Sequence, residues 1–329
     1  MSSKPVSHKL PDRLPIGQFP TPVHELTWLS AEIGRCVVVK RDDLSGLALG
    51  GNKARKLAYL VADARESGCD TLVATGFLQS NNCVQAAAAA VRYGLNAVLC
   101  LDGAQPNAAR GNVLLGKLYG ATLHFSNGEP IARLIEKTVT ELRARGRKPY
   151  VLPPGGSTAV GIRGFVEAMA EARGQLAEYD IDGIVFPTGT GGTQAGLVLG
   201  AAALGWEVDI LGISTGKTAV EMVPAMATMI RETADYLGLD VAVPVERLRV
   251  DDRFYGAGYA KPDGSDFDAI RAVARGDGLL CDPVYNGRTM KAVLQLARDG
   301  GLPGKADLLY WHTGGTPGLF AFDEARSAA

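Results

Sequence analysis

Two kinds of apolar pattern alternate along most of the chain. Short apolar runs rich in β-branched residues predict strands, at 36–40, 71–75, 97–101, 122–125, 150–152, 183–187, 208–213 and 308–311. Longer segments with apolar residues at helical spacing predict helices, at 56–67, 84–93, 107–119, 131–145, 162–179, 195–203 and 219–237. Alternation of this kind is typical of parallel sheets whose strands are connected by helices, so an α/β fold is predicted.

A break rich in proline and glycine at 153–157 separates two strand–helix series. Two polar turns, at 79–85 and 188–194, each follow a predicted strand and precede a predicted helix. Ligands of open α/β sheets bind beyond the carboxyl ends of the strands. The sequence therefore predicts one cleft that collects both turns.

Composition narrows the class of protein. The 329 residues suit one large domain or two medium ones, and 47% of them are hydrophobic while the net charge is −1. A nearly balanced charge argues against nucleic acid as a partner. No apolar run is long enough to span a membrane, and residues 1–22 show no signal-peptide pattern, so a cytoplasmic protein without a membrane partner is expected.

The five cysteines predict neither a disulfide framework nor a metal site. They are odd in number and scattered, and no Cys-x-x-Cys pair is present. Reduced thiols are expected, which agrees with a cytoplasmic protein. Cys83 lies within a polar turn and is interpreted as a buried thiol at a helix start rather than as a nucleophile.

Lys53 follows two glycines and an asparagine immediately before a predicted helix. Glycines permit positive φ angles and a close approach of the backbone to a ligand. A lysine amine that is partly desolvated in such a concave site loses proton affinity and becomes a nucleophile. Lys53 is therefore a candidate for an imine with a carbonyl cofactor such as pyridoxal phosphate (PLP). The alternative is a strand-to-helix turn with a solvated lysine.

The segment Thr-Gly-Thr-Gly-Gly-Thr-Gln-Ala-Gly at 188–196 connects a buried strand to a helix of small residues. Backbone N–H groups at such a turn point at one anion. The segment lacks the Lys-Ser or Lys-Thr of a Walker loop and the third glycine of the dinucleotide fingerprint. It is predicted to hold a single phosphate monoester rather than to be only a packing turn. The residues concerned are Gly189, Thr190, Gly191, Gly192 and Thr193.

The turn Gln-Ser-Asn-Asn-Cys-Val-Gln at 79–85 has more polar side chains than a helix start requires. One capping residue is enough for that purpose. The additional amides and the hydroxyl predict contacts to a ligand carboxylate or ring oxygen. A further polar cluster at 214–218, which includes Lys217, is interpreted as the cap of the following helix, and contact of Lys217 with the substrate is the alternative.

In this order, the motifs resemble the family of D-cysteine desulfhydrases and 1-aminocyclopropane-1-carboxylate (ACC) deaminases, which are PLP enzymes. The matching motifs span nearly the whole chain, at 40–43, 50–56, 79–81, 188–196, 258–259, 282–287 and 312–315. The resemblance implies PLP-dependent fold type II (tryptophan synthase β-like) with two open twisted parallel-sheet domains. It implies a small domain at 54–164 and a large PLP-binding domain that combines 1–53 with 165–329.

The resemblance also implies roles for the matching residues, in a site between the two domains. Lys53 would bind PLP and then act as the base that removes the substrate proton. The loop 189–193 would hold the phosphate, and Asn81 would bond the ring oxygen of the cofactor. A small amino acid is the implied substrate, and a homodimer is expected.

Three further residues receive implied roles on the substrate side. Ser80 matches a residue that contacts the substrate or its carboxylate. Tyr259 and Tyr285 match two active-site tyrosines, and a phenol near a cation can have a lowered pKa and serve as acid or base. A packed tyrosine with a satisfied hydroxyl is the alternative at either position.

Asn286 is the main departure from the family pattern. ACC deaminases carry a glutamate there and D-cysteine desulfhydrases a threonine, and the side chain faces the pyridine nitrogen. A carboxylate would keep that nitrogen protonated, whereas Asn286 has no charge. Because the leaving group of a β-elimination drains the electrons, elimination needs less carbanion stabilisation than ring opening. Asn286 therefore favours α,β-elimination, with D-cysteine giving pyruvate, sulfide and ammonia.

The second departure is Asn82-Cys83-Val84, where the desulfhydrases usually have His-x-Arg and the deaminases Gln-x-Arg. It leaves L-cysteate sulfo-lyase and ACC deaminase as alternative activities. A non-catalytic PLP-binding protein, acting as carrier or sensor, is the alternative of another class. The presence of Lys53, Ser80, Tyr259 and Tyr285 favours the enzyme.

Overall fold

Helices and strands alternate along the described part of the chain, residues 10–323 and 325, in this computed structural model. The strands are β1 (Val23–Glu25), β2 (Val37–Arg41), β3 (Thr71–Phe77), β4 (Asn96–Asp102), β5 (Thr122–Phe125), β6 (Pro149–Leu152), β7 (Ile181–Thr188), β8 (Asp209–Ser214), β9 (Arg249–Asp251) and β10 (Asp307–His312). The helices are α1 (Thr27–Ile33), α2 (Lys53–Glu66), α3 (Asn81–Arg92), α4 (Gly111–Leu118), α5 (Ile131–Ala144), α6 (Ala159–Gln175), α7 (Gly192–Ala203), α8 (Ala219–Leu237), α9 (Gly264–Asp277) and α10 (Asn286–Asp299). The two ends of the predicted large domain, and part of the segment inspected for a signal peptide, lie outside the described residues.

Two separate sheets form the framework. The larger sheet has the strand order β1-β2-β10-β7-β8-β9, and its neighbouring strands are parallel except for β1 and β2. The smaller sheet has the order β5-β4-β3-β6 and is parallel throughout. The chain enters the smaller sheet after β2 and returns to the larger sheet with β7. This arrangement confirms the predicted α/β fold with two parallel-sheet domains.

The predicted domain limits can be placed on these sheets. The smaller sheet falls within 54–164, and the larger sheet is formed from 1–53 and 165–329. The limit at residue 164 lies inside α6, which packs against both α2 and α7. Because one helix serves both parts of the molecule, the limits themselves stay a prediction.

Helices cover both faces of the larger sheet. One face packs against α6, α7 and α8 and includes Phe186 and Trp311. The other packs against α1, α9 and α10 and includes Val185 and Tyr310. Successive residues of a strand point to opposite faces, so central strands buried on both sides read as continuous apolar runs. No helix within residues 10–323 is both long and apolar enough to cross a bilayer.

The predicted strands agree with the structure to within two residues at either end, and the predicted helices to within four. Helices α2, α3 and α7 all begin three residues earlier than predicted, because polar motifs that were assigned to turns form their first helical turns. Short edge strands β1 and β9 and the helices α1, α9 and α10 were missed. Three-residue strands are too short to show alternation, and α10 begins within a polar motif.

A buried network of ion pairs fixes the start of α2 to the larger sheet. Arg55 is 4% exposed, and its Nη2 donates to Asp42 Oδ1 at 2.8 Å and to Glu171 Oε1 at 2.8 Å. Trp311 Nε1 donates to the second oxygen of Asp42 at 2.9 Å, and Lys40 pairs with Glu171. Burial opposes ionisation of Glu171, but Arg55 and Lys40 lower its pKa to about 2. The residue two positions after Lys53 is therefore held from several sides.

Close packing of α6 against α2 predicts opposite effects for two substitutions in the same helix. A Cβ at Gly164 would collide with the carbonyl oxygen of Arg55, whereas a Cβ at Gly174 would meet nothing within 4 Å. Gly164→Ala should therefore destabilise the protein by about 1–3 kcal/mol through overpacking. Gly174→Ala should stabilise it by roughly 0.5–1 kcal/mol through helix propensity. Urea unfolding of both variants measures the difference, and a stabilising Gly164→Ala would contradict this packing.

Candidate active site

A cavity of about 370 Å³ lies between the two parts of the molecule, at the carboxyl ends of β3, β7, β8 and β10. Most of the residues predicted from the sequence line it. These are Lys53, Ser80, Asn81, Gly189, Thr190, Gly191, Thr193, Tyr259 and Tyr285. Gly192 and Asn286 are not among the lining residues. The structure thus brings together segments that are more than 230 positions apart in the sequence.

Lys53 is the first residue of α2, and its half-buried side chain lines the cavity. Gly50 precedes it with φ of 84°, a value that favours glycine, and a Cβ there would collide with the carbonyl oxygen of Asp43. The amine donates to Asn52 Oδ1 at 2.8 Å. Burial lowers the pKa of Lys53 to about 8, although the charge of Asp282 opposes this shift. A larger fraction of the amine is therefore neutral at neutral pH than in a solvated lysine.

The loop 189–193 leads directly from β7 into α7. Gly191 is the N-terminal cap residue of α7, with φ of 83°, and the first intrahelical bond runs from Ala195 N to Gly191 O. The N–H groups of the first helical turn have no acceptor within the helix, so they form an anion site at this end of the cavity. Gly192 is the first residue of α7, and a Cβ at this position would come within 2.9 Å of Lys56 Nζ.

Lys56, to which the sequence analysis assigned no role, lies close to the loop 189–193 but is not among the residues that line the cavity. Its amine is fully buried and donates to Gly155 O at 3.0 Å and to Ser157 Oγ at 3.4 Å. Burial, followed by the charge of Lys53, holds the pKa of Lys56 well below its usual value. That backbone N–H groups supply most of the phosphate binding stays a prediction, and the amine of Lys56 is a further donor close to the loop. The i, i+3 spacing of Lys53 and Lys56 on one helix was the signal that could have found it.

Ser80 and Asn81, at the start of α3, make different hydrogen bonds. Ser80 caps the helix, since its Oγ accepts from Cys83 N at 3.2 Å. Asn81 Oδ1 accepts from Asn112 Nδ2 at 2.7 Å, which leaves the Nδ2 of Asn81 as the group available to a ligand. Asn112, on α4, was not found from the sequence because its contact joins distant segments.

Asn82 carries a direct indication of a ligand. It is 4% exposed and lines the cavity, and neither its Nδ2 nor its Oδ1 has a partner among the described residues. Thr188 Oγ1, also in the cavity lining, is buried without a partner in the same part of the chain. Buried polar atoms are normally hydrogen-bonded, because leaving them without a partner costs about 1–3 kcal/mol each. A polar ligand that fills the cavity would satisfy them.

Tyr259 and Tyr285 form a hydroxyl pair at the cavity wall. Their hydroxyl groups hydrogen-bond to each other, and the two rings meet edge-on with centroids 5.9 Å apart. Burial raises the pKa of Tyr259 to about 12 and that of Tyr285 well above the usual value. The expectation of a phenol pKa lowered by a nearby cation is therefore wrong. Both phenols are neutral at neutral pH and hold a proton that they can donate.

Asn286 is completely buried, and its amide is bonded to the protein itself. Its Nδ2 donates to Asp282 Oδ1 at 2.9 Å and to Thr313 Oγ1 at 3.3 Å. Its Oδ1 accepts from Tyr310 OH at 2.7 Å. Thr313 lines the cavity at this point, so the contact of Asn286 with a cofactor stays a prediction.

The structure also shows the surroundings of the polar cluster at 214–218 and of Cys83. Thr218 caps α8 together with Glu221, as expected for this cluster, but the neighbouring Lys217 lines the cavity. Cys83 is buried, and burial raises the pKa of its thiol to about 12. The thiol is therefore protonated at neutral pH, which agrees with a packing role.

Comparisons with known proteins agree over nearly the whole chain. The family model described as "Pyridoxal-phosphate dependent enzyme" matches residues 14–314. A relative from Pyrococcus abyssi named putative ACC deaminase is 37% identical, over 95% of this chain and 94% of the relative. A D-cysteine desulfhydrase from Salmonella choleraesuis is 35% identical, over 94% of this chain and 96% of the relative.

Solved structures of other proteins also resemble this chain over nearly its whole length. A crystal structure of an ACC deaminase homologue superposes with a TM-score of 0.90 at 36% identity, covering 98% of this chain and 97% of that one. A fungal L-serine ammonia-lyase from Rhizomucor miehei superposes with a TM-score of 0.66 at 21% identity, covering 95% of this chain and 98% of that one, which shows the fold alone. These likenesses confirm the predicted fold type.

The residues of the cavity fit PLP, the cofactor of this family. The amine of Lys53 suits its aldehyde, and the start of α7 with Lys56 suits its phosphate. A polar ligand of this kind would give hydrogen-bond partners to the buried polar atoms of Asn82 and Thr188. The aldehyde, phosphate and polar ring groups thus each have a suitable protein group in one cavity.

The buried amine of Lys56 predicts a phosphate-specific loss of affinity. Lys56→Met should weaken PLP binding to the apo-protein about 10- to 100-fold, the usual range for a hydrogen bond to a charged group. Binding of pyridoxal, which has no phosphate, should change little. Fluorescence titration of wild type and variant with both ligands measures this, and equal losses for the two ligands would show that Lys56 serves only packing.

The lowered pKa of Lys53 predicts that its amine becomes reactive at a lower pH than the amine of a solvated lysine. In the apo-protein, labelling of Lys53 by a small neutral acylating reagent should rise with pH and reach its midpoint near pH 8, because only the unprotonated amine reacts. Peptide mass spectrometry after competitive labelling gives the midpoint, with free Nα-acetyl-lysine as the internal reference. A midpoint equal to that of the reference would contradict a desolvated amine.

Proposed function

We propose that this chain, which belongs to the pyridoxal-phosphate dependent enzyme family, is a lyase that performs α,β-elimination on a small amino acid. D-cysteine is the first candidate substrate, and pyruvate, sulfide and ammonia are the products. The observation that carries the proposal is the buried amine of Lys53, with its pKa near 8, in one cavity with two neutral tyrosines. A cytoplasmic homodimer is the proposed form of the enzyme.

Lys53 has two tasks in this proposal. Its neutral amine would hold the aldehyde of the cofactor, and the same amine, once free, would be the base that takes the α-proton of the substrate. When bound, the cofactor supplies the electron sink that makes this proton acidic. A pKa near 8 suits both tasks, because the amine is readily freed of its proton and still binds one at neutral pH.

Binding and orientation fall to residues at the helix starts. The loop 189–193 and Lys56 hold the phosphate, and Nδ2 of Asn81 donates to the ring oxygen of the cofactor. Ser80 and the start of α3 take the substrate carboxylate. Asn286 acts on the pyridine end of the cofactor through the hydroxyl of Thr313.

The two tyrosines serve the leaving group. With both pKa values raised by burial, Tyr259 and Tyr285 remain neutral and can donate a hydrogen bond to the departing sulfur. In their mutual hydrogen bond one phenol donates to the other, which leaves the proton of the second phenol for this contact. The raised pKa keeps both phenols protonated but makes them weaker acids than a solvated tyrosine, so their role is to donate hydrogen bonds.

The uncharged pyridine end favours elimination over ring opening. Neither Asn286 nor Thr313 carries a charge that would hold a proton on the pyridine nitrogen. The nearby carboxylate of Asp282 is bonded to Asn286 and does not line the cavity, so we infer less carbanion stabilisation than a carboxylate in direct contact would give. In β-elimination the leaving group takes the electrons. The similarity of the chain to named relatives does not separate the activities, since 37% and 35% identity are nearly equal.

Lys217 supports a second candidate, L-cysteate. This exposed lysine lines the cavity, and its charge suits a substrate with a second anionic group, such as a sulfonate. ACC deaminase activity is the third candidate, which the names of the relatives from Pyrococcus support. All three substrates suit the same cofactor and the same base.

A substrate comparison tests the proposal. D-cysteine, L-cysteate, β-chloroalanine and ACC are supplied at equal concentration, and pyruvate or 2-oxobutyrate is measured. We expect D-cysteine to give the largest kcat/KM, and Lys53→Ala to reduce it by at least about 10³-fold, since nucleophile and base are lost together. Faster conversion of ACC to 2-oxobutyrate than of any β-substituted alanine to pyruvate would replace the proposal with the deaminase.

A further inference from the structure

We propose that Arg288 is a positioning residue that holds Tyr259 in contact with Tyr285. This inference rests on the proposed function, because it assigns Tyr259 its place beside the leaving group. Arg288 lies in α10, three positions after Tyr285, and is 0% exposed. Its guanidinium reaches the backbone on both sides of Tyr259.

Three carbonyl groups receive the hydrogen bonds of Arg288. Nη2 donates to Gly258 O at 3.0 Å and to Lys261 O at 2.7 Å, and Nη1 donates to Thr215 O at 2.8 Å. The carboxylate of Asp266 lies 3.6 Å from Nε and balances the charge. Burial of a guanidinium is costly unless its donors are used. Here Nη1 and Nη2 bind these carbonyl groups, while Nε has no hydrogen-bond partner among the described residues.

The backbone around Tyr259 needs such support. Residues 252–263 form neither helix nor strand, so no ladder of hydrogen bonds fixes them. Gly258 has φ of 120° and Ala260 has φ of 55°, and the second value is unfavourable for a residue with a Cβ. The two carbonyl groups bound by Arg288 lie on either side of this strained section.

The third carbonyl group, that of Thr215, connects Arg288 to the cavity wall. Thr215 and Gly216 both line the cavity, and a Cβ at Gly216 would lie 2.7 Å from Tyr259 Cβ. One guanidinium therefore joins the segment after β8, the Tyr259 segment and α10. The result of these three attachments is the hydroxyl contact between Tyr259 and Tyr285.

An arginine suits this task better than a lysine. Its planar group directs five donors in fixed directions, whereas an ammonium group is a compact charge on a flexible stem. Arg288→Lys keeps the positive charge opposite Asp266 and removes the fork that binds both flanking carbonyls. The variant therefore tests geometry while leaving charge in place.

The first measurement needs no turnover. Hydrogen–deuterium exchange of apo-protein should show faster exchange in the 256–262 peptide of Arg288→Lys, by about tenfold or more for lost charge-assisted hydrogen bonds. Peptides from β3 and α3 serve as internal controls and should not change. Unchanged exchange at 256–262 would overturn the proposal. Arg288→Met is the second variant, and if it does not fold, the Arg288→Lys result decides.

The second measurement is a double-mutant cycle with Tyr259→Phe. If Arg288 acts through Tyr259, Arg288→Lys lowers kcat by about tenfold in wild type and adds little in the Tyr259→Phe background, with KM nearly unchanged. Equal losses in both backgrounds would show a general structural role and overturn the proposal. Should wild type have no lyase activity, the proposed function fails, while the exchange result still decides whether Arg288 holds the Tyr259 segment.

Discussion

The burial of one lysine amine at the start of a helix is the constraint on which the site depends. Lys53 must lie in a low-dielectric cavity for its pKa to fall, yet its helix must not move. The ion pairs of Arg55 with Asp42, which follows β2, and with Glu171 of α6 meet this requirement, because they fix the same helical turn to the larger sheet and to α6. The backbone of α6 also approaches α2 closely at Gly164. Position and proton affinity of the amine thus have a common structural origin.

Helix starts supply most of the remaining groups. α2, α3 and α7 begin at the cavity with Lys53, Asn81 and Gly192, and each presents N–H groups or polar side chains where a strand-to-helix turn ends. Parallel sheets place such turns at one edge, so two sheets facing each other produce a cavity rich in donors. Tyr285 is also at a helix start, as the N-terminal cap residue of α10. Tyr259 comes from an irregular segment that a buried arginine attaches.

The sequence alone predicted the class of fold and nine of the residues that line the cavity. Apolar runs identified the central strands because those strands are buried on both faces, and glycine-rich motifs identified the turns because few other sequences permit their backbone. Lys56, Asn112 and Arg288 were missed, since each acts through a contact between segments far apart in the chain. Asn286 was assigned to the cavity from its motif, whereas its amide is bonded within the core.

Borohydride reduction of the PLP-loaded protein, followed by peptide mapping, tests the central claim most directly. The account predicts that the cofactor becomes fixed to the peptide that contains Lys53, and that a Lys56→Met variant is labelled at the same residue. Lys53 and Lys56 are both buried amines beside the cavity, so the experiment discriminates between two real candidates. Attachment to Lys56 or to any other lysine, or no attachment at all, would contradict the account.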